Sequence, residues 1–201
     1  MKGLLLAFVA FVGVLDLPAH AAADAVKTAV PIGVPGFSQP GISPDGSQIA
    51  FVANSAIWSV AAQGGEAHLL IADGGADTRP LYAPDGRSLA FVSDATGNGD
   101  IYVLALASGQ LQRLTWSDSP DQLDAWSRDG QWIYFSSTRD NVGGMHGIFR
   151  VRASGGTPMP VSLEAYRNEE QAAASPDGRQ LALIGGGIGA FQWWRHGHSH
   201  I

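Results

Sequence analysis

Short apolar runs recur along the chain. Gln48-Ile49-Ala50-Phe51-Val52, Ser88-Leu89-Ala90-Phe91-Val92, Trp132-Ile133-Tyr134-Phe135 and Gln180-Leu181-Ala182-Leu183-Ile184 each have strand length and strand composition, and turn residues bound them. They predict the most buried strands. A second strand follows at Ile57-Trp58-Ser59-Val60, Ile101-Tyr102-Val103-Leu104 and Ile148-Phe149-Arg150-Val151, reached through a loop that lengthens from copy to copy. A glycine turn then leads to a short outer strand at His68 to Ile71, Leu111 to Thr115 and Met159 to Ser162. A more polar segment precedes the second, third and fourth buried runs: Arg79 to Tyr82, Gln122 to Trp126 and Glu170 to Ala173. These segments predict inner strands that line a channel.

Between inner strand and buried run stands a repeated tetrapeptide. It reads Ser43-Pro44-Asp45-Gly46, Ala83-Pro84-Asp85-Gly86, Ser127-Arg128-Asp129-Gly130 and Ser175-Pro176-Asp177-Gly178, with the glycines 40, 44 and 48 residues apart. Proline pre-sets φ, aspartate bonds nearby backbone and glycine accepts positive φ, so the tetrapeptide makes a hairpin turn. A period of roughly 40 to 50 residues suits a four-stranded blade. The fold class expected is all-β, a β-propeller of four-stranded antiparallel blades, with about three and a half blades present. They start near residues 38, 79, 122 and 169, and the last lacks a recognisable second strand before Ile201. Residues 38–201 are thus read as a partial propeller belonging to a longer protein, since closed propellers need several blades.

Composition adds a compartment. Residues 1–23 combine Lys2, an apolar run from Gly3 to Leu15 and Pro18-Ala19-His20-Ala21, the layout of a cleavable signal peptide. The run is too short for a membrane span, so a periplasmic or secreted protein without a stable membrane span is expected, with 24–37 as lead-in. A net charge of −6 and the lack of a basic stripe argue against nucleic acid as partner. Without cysteine the chain has no disulfides.

Candidate chemistry is sparse. His196, His198 and His200 alternate and would share one face of a strand, but no carboxylate accompanies them, so no metal site is assigned. No G-x-S-x-G elbow occurs, and Ser43 and Ser175 belong to the turns, so no catalytic residue is assigned. Asp45, Asp85, Asp129 and Asp177, with Gly46, Gly86, Gly130 and Gly178, are read as structural turn residues rather than calcium ligands. Gly64-Gly65, Gly155-Gly156 and Gly185 to Gly189 are read as turn or insertion glycines, and no cofactor is expected. Trp58, Tyr102 and Phe149 recur at one place and are read as inter-blade core. Tyr82 and Trp126, on inner strands, are the candidates for touching a peptide or protein.

The tetrapeptide, the Leu-Ala-Phe-Val-Ser run and Asp100-Ile101-Tyr102-Val103, ending in Leu114-Thr115, resemble the WD-like propeller repeats of TolB and of tricorn-type peptidases. Copies depart from the pattern at Arg128, Gly147 and Ala56. The stretch from Gly189 to Ile201, with Phe191-Gln192-Trp193-Trp194-Arg195-His196, looks like the propeller segment of exported tricorn-like serine peptidases. The resemblance implies a propeller that admits or binds peptides, followed by a PDZ-like module and a serine hydrolase domain. None of that domain's residues is present. A TolB-like periplasmic protein-binding scaffold, or the propeller of an amidohydrolase, fits the same repeats.

Overall fold

The computed structural model describes residues 36–141, 143–162 and 167–187. The proposed signal peptide, His196, His198, His200 and the segment from Gly189 onward lie outside them.

The described chain is a succession of antiparallel sheets. Blade 1 consists of β1 (Ser38–Ile42), β2 (Gln48–Ala53), β3 (Ala56–Ala61) and β4 (His68–Ile71). Blade 2 follows with β5 (Asp77–Tyr82), β6 (Ser88–Ser93), β7 (Asp100–Ala105) and β8 (Gln110–Arg113). Blade 3 has β9 (Asp121–Trp126), β10 (Trp132–Ser137), β11 (Gly147–Arg152) and β12 (Met159–Ser162). Blade 4 shows β13 (Arg167–Ala174) paired with β14 (Leu181–Gly187). Within each sheet the strands pair in sequence order, and the first strands of successive blades pack beside one another. This is the up-and-down blade of a β-propeller.

Several boundaries differ from the sequence reading, the inner strand of blade 4 among them, which starts at Arg167 rather than Glu170. The outer strand of blade 2 ends at Arg113, because Leu114 and Thr115 turn inward and are fully buried. There the Leu114 amide donates to the Ile101 carbonyl at 2.8 Å and Thr115 Oγ1 accepts the Ile101 amide at 2.9 Å. The inner strand of blade 2 starts at Asp77, ahead of the expected Arg79, because a bulge sits inside it. Gly185 to Gly187 are strand rather than turn residues, in register with Glu169, Asn168 and Arg167.

The turns explain their own sequence. In the first, Gly46 takes φ 71° and its amide donates to Ser43 O, while Ser43 Oγ donates to Asp45 Oδ1 at 2.6 Å. The Ser47 amide donates to the same carboxylate oxygen, and the Gln48 amide donates to Ser43 Oγ. Turns three and four repeat these bonds with Asp129 and Asp177. In the second turn Ala83 has no hydroxyl, and Asp85 keeps only the Arg87 amide. The donors hold the Asp45 carboxyl well down, at about 2, with the Ser43 hydroxyl the largest cause; Asp129 and Asp177 are lowered in the same way.

The core lies between blades. Leu89, Phe91, Tyr102 and Leu104 of blade 2 pack on Ala50, Val52, Ile57 and Ile71 of blade 1. Ile133, Phe135, Phe149 and Val151 of blade 3 pack on Ala90, Val92, Ile101 and Val103 of blade 2. Large side chains on one face therefore meet small and β-branched ones on the next. Tyr102 stacks on Phe91 at 5.6 Å and Phe149 on Phe135 at 5.7 Å. Trp58, at the matching place in blade 1, is half-buried.

Phe91→Ala and Phe135→Ala, each emptying such an interface, are expected to cost about 3–5 kcal/mol. Phe51→Ala, on the half-buried face of blade 1, is expected to cost less than half as much. Urea denaturation of the three variants checks the order.

Candidate functional site

Every inner strand carries one extra residue against its partner, between Ser38 and Gly41, Thr78 and Leu81, Leu123 and Ala125, and Glu170 and Ala173. In three blades a residue of the bulge takes positive φ: Gln39 at 51°, Arg79 at 55° and Gln171 at 56°. Blade 3 has Leu123 at that place and no such φ. A bulge re-aims the side chains around it. Gly41 belongs to the same device, because a Cβ there would stand 2.4 Å from the Pro80 carbonyl oxygen.

A polar chain crosses the blades along these strands. Gln39 Oε1 of blade 1 accepts the amide of Arg79 in blade 2. The Arg79 guanidinium lies 3.9 Å from Asp124 of blade 3. Asp124 also accepts the Ser136 hydroxyl at 3.3 Å and is approached by the Ala172 amide of blade 4. Burial pushes its carboxyl up to about 6, against the lowering effects of the Ala172 amide, Arg79 and Ser136. Asp124 Oδ2 has no hydrogen-bond partner among the described residues. The sequence reading missed this chain. Aligning the copies on their turns would have found it, because Asp124 stands where blades 1 and 2 have Pro40 and Pro80.

A second polar layer marks the other end of the inner strands. Asp77, Asp121 and Glu169 are buried, and each donates its amide to the preceding blade, at Ser55 O, Gly99 O and His146 O. Asp121 pairs with Arg139, whose guanidinium lies 4.8 Å from the Phe135 ring centroid and 5.5 Å from that of Phe149. Asp100 is likewise buried and pairs with Arg113 at 2.6 Å.

Tyr82 and Trp126 end equivalent inner strands and are half-buried. Tyr82 packs against the core between blades 1 and 2, Trp126 against that between blades 2 and 3. The Trp126 indole donates to the Leu81 carbonyl of the preceding blade at 3.0 Å. Each lines a cleft beside the turns. The Tyr82 cleft, about 410 Å³, is bounded by Pro44, Asp45 and Leu106, and the Trp126 cleft, about 320 Å³, by Pro84, Arg128 and Asp129. The two aromatics thus belong to repeated inter-blade clefts and are not brought together in one pocket. Among the described residues no group of three or more His, Asp or Glu is placed to hold a metal ion.

Repeated four-stranded blades, each with an Asp-Gly turn between its first and second strands, define a β-propeller of the WD-like kind. The chain belongs to the tricorn protease N-terminal beta propeller domain family, which it matches over residues 37–198. It is 33% identical over 153 residues to an uncharacterised protein of Agrobacterium fabrum, covering 72% of this chain and 49% of that protein. It is 30% identical over 95 residues to tricorn protease homolog 1 of Streptomyces coelicolor, covering 47% of this chain and 9% of that protein. A solved TolB-like protein of Agrobacterium tumefaciens superposes with a TM-score of 0.66 at 28% identity, over 74% of this chain and 54% of its own. The chain thus spans about half the length of the first of these relatives, or less.

Arg139→Leu is expected to cost about 3–5 kcal/mol, because it leaves the buried Asp121 carboxylate without its partner. Adding Asp121→Asn should return part of that loss. Chemical denaturation of both variants checks it.

Proposed function

We propose that this chain is the non-catalytic propeller portion of an exported tricorn-like serine peptidase, which admits or binds peptides on their way to a hydrolase domain elsewhere in the polypeptide. The observation that carries the reading is the family match, which runs through residue 198 and so takes in most of the aromatic and histidine-rich stretch from Gly189 onward. The inner strands supply the matching chemistry. Gln39, Arg79 and Gln171 stand at bulges on the strands nearest the propeller axis, and exposed or half-exposed polar side chains there suit a passing peptide backbone. The clefts at Tyr82 and Trp126 are of a size to receive single side chains, and they are the proposed contact points for peptide or protein. Export through residues 1–23 is part of the same proposal.

A second reading is a TolB-like scaffold that binds another envelope protein without hydrolysis. It is favoured by the likeness to the Agrobacterium tumefaciens structure, which extends over more of the partner's length than the likeness to the Streptomyces peptidase.

The test uses the full-length protein purified from its native host. Hydrolysis of fluorogenic peptides, blocked by a serine-reactive inhibitor and absent from residues 24–201 alone, is the expected result. Reduced turnover in Trp126→Ala with an unchanged inhibitor-labelling rate would locate peptide contact on the propeller. No hydrolysis, with capture of an envelope protein, would replace this reading by the second.

A further inference from the structure

Blades 2 and 3 meet the same local requirement in different ways. Each inner strand opens on a buried aspartate, Asp77 or Asp121, in register with a serine of the second strand, Ser93 or Ser137. Each serine Oγ accepts the amide of the residue two positions on, Ala95 or Arg139. In blade 3 that residue supplies the guanidinium that neutralises Asp121. In blade 2 it is alanine, and neither oxygen of the fully buried Asp77 has a hydrogen-bond partner among the described residues.

The space that a guanidinium would take is filled by the loop of residues 72–76, which joins blade 1 to blade 2. Gly75 lies so close that a Cβ on it would stand 2.4 Å from the Ala95 amide nitrogen. The Ala76 amide donates to Asp94 Oδ1. Asp73 accepts the Gly75 amide at 3.0 Å and the Ser93 hydroxyl at 2.7 Å, and Ser93 stands in register with Asp77, which brings both carboxyl groups to the same serine. Three carboxyl groups, Asp73, Asp77 and Asp94, therefore meet where blade 3 holds a carboxylate and a cation. A buried carboxylate with two unpaired oxygens is far more costly than a neutral acid that donates to an acceptor.

We propose that Asp77 is held as the neutral acid, donating its proton to the Asp73 carboxylate, and that this shared proton clasps the loop of residues 72–76 onto the end of β6. The proton takes the part that the Arg139 guanidinium plays one blade later. When it leaves, Asp77 carries a charge against Asp73 and Asp94, and the loop between blades 1 and 2 loosens. The device does not depend on which partner the propeller serves.

Burial, first, and the neighbouring Asp73 and Asp94 raise the Asp77 carboxyl to about 7, with the Ser93 hydroxyl opposing them. The strands β1, β2, β3 and β6 packed against β5 carry no ionisable residue. The acids of β9, Asp121 and Asp124, lie with Arg139 and Arg79 respectively. Because the folded value lies above the ordinary one of 3.8, the clasp is complete at acid pH and is lost as pH rises through about 7.

Hydrogen exchange of the Gly75 and Ala76 amides in the full chain, corrected for intrinsic rates, tests this. Protection should fall roughly tenfold between about pH 5 and about pH 9. In Asp77→Asn, whose amide donates to Asp73 at every pH, protection should stay level. Infrared difference spectroscopy gives a second readout: a buried carboxylic acid band that disappears over the same pH interval should be present in the wild type and missing from Asp77→Asn, which leaves the other buried acid, Asp124, in place. Level protection in the wild type, an equal fall in Asp77→Asn, or no buried acid band that Asp77→Asn removes would each overturn the proposal.

Discussion

The structure rests on the contact between one blade and the next, because a single four-stranded sheet here has two apolar faces and no means of covering either. Leu89, Phe91, Tyr102 and Leu104 project from blade 2 onto the smaller Ala50, Val52 and Ile57 of blade 1, and Ile133, Phe135, Phe149 and Val151 repeat the arrangement one blade later. Bulk on one face matched to small residues on the next lets the wedge between radial sheets close at normal packing density. The turns serve this contact. Gly86 and Gly130 lie against Pro44 and Pro84 of the preceding turn, so the tetrapeptides stack in a row as the blades do. Blade 1 shows the converse: with no described blade before it, Ile42 and Phe37 are each 64% exposed, whereas Tyr82 and Trp126, which match Ile42 in position, are half-buried.

Polar groups then distinguish one blade from the next. The apolar contacts are nearly interchangeable between interfaces, but Gln39 with Arg79, Arg79 with Asp124, and Asp121 with Arg139 are not repeated from blade to blade. Buried ion pairs are weak sources of net stability, and their better attested use is to specify one arrangement over its neighbours. In this chain they distinguish blade 2 from blade 3 at both ends of the inner strands.

Much of the architecture was legible because it is local and repeated. The Asp-Gly turns, the buried strands and two of the three outer strands follow from turn chemistry and hydrophobic runs within a few residues. The bulges were not legible. Gln39, Arg79 and Gln171 are ordinary polar residues, and positive φ at such positions comes from the packing of neighbouring inner strands rather than from their own preference. Gly185 to Gly187 failed for a related reason: glycines read as turn residues by propensity are held in β14 by pairing with β13. Tyr82 and Trp126 were placed on the right strands, yet their inter-blade packing needs knowledge of which blade lies alongside. The Asp77 and Asp124 environments depend on residues from several segments, so no single stretch of sequence announces them.

Departures from the repeat are therefore where this chain differs from a generic propeller. Ala95 replaces Arg139, Asp124 replaces Pro80, and Tyr134 and Arg150 occupy the face of blade 3 that is Ala90 and Val103 in blade 2. On that face Arg150 and Arg152 each lie 4.4 Å from the Trp132 ring centroid, a stacked cationic surface in place of small apolar side chains. Symmetry explains why the blades fold; it cannot explain recognition, since a surface repeated identically in every blade offers no single place for one partner. These departures, where one blade carries charge and its neighbours do not, are what tells the otherwise equivalent interfaces of this chain apart.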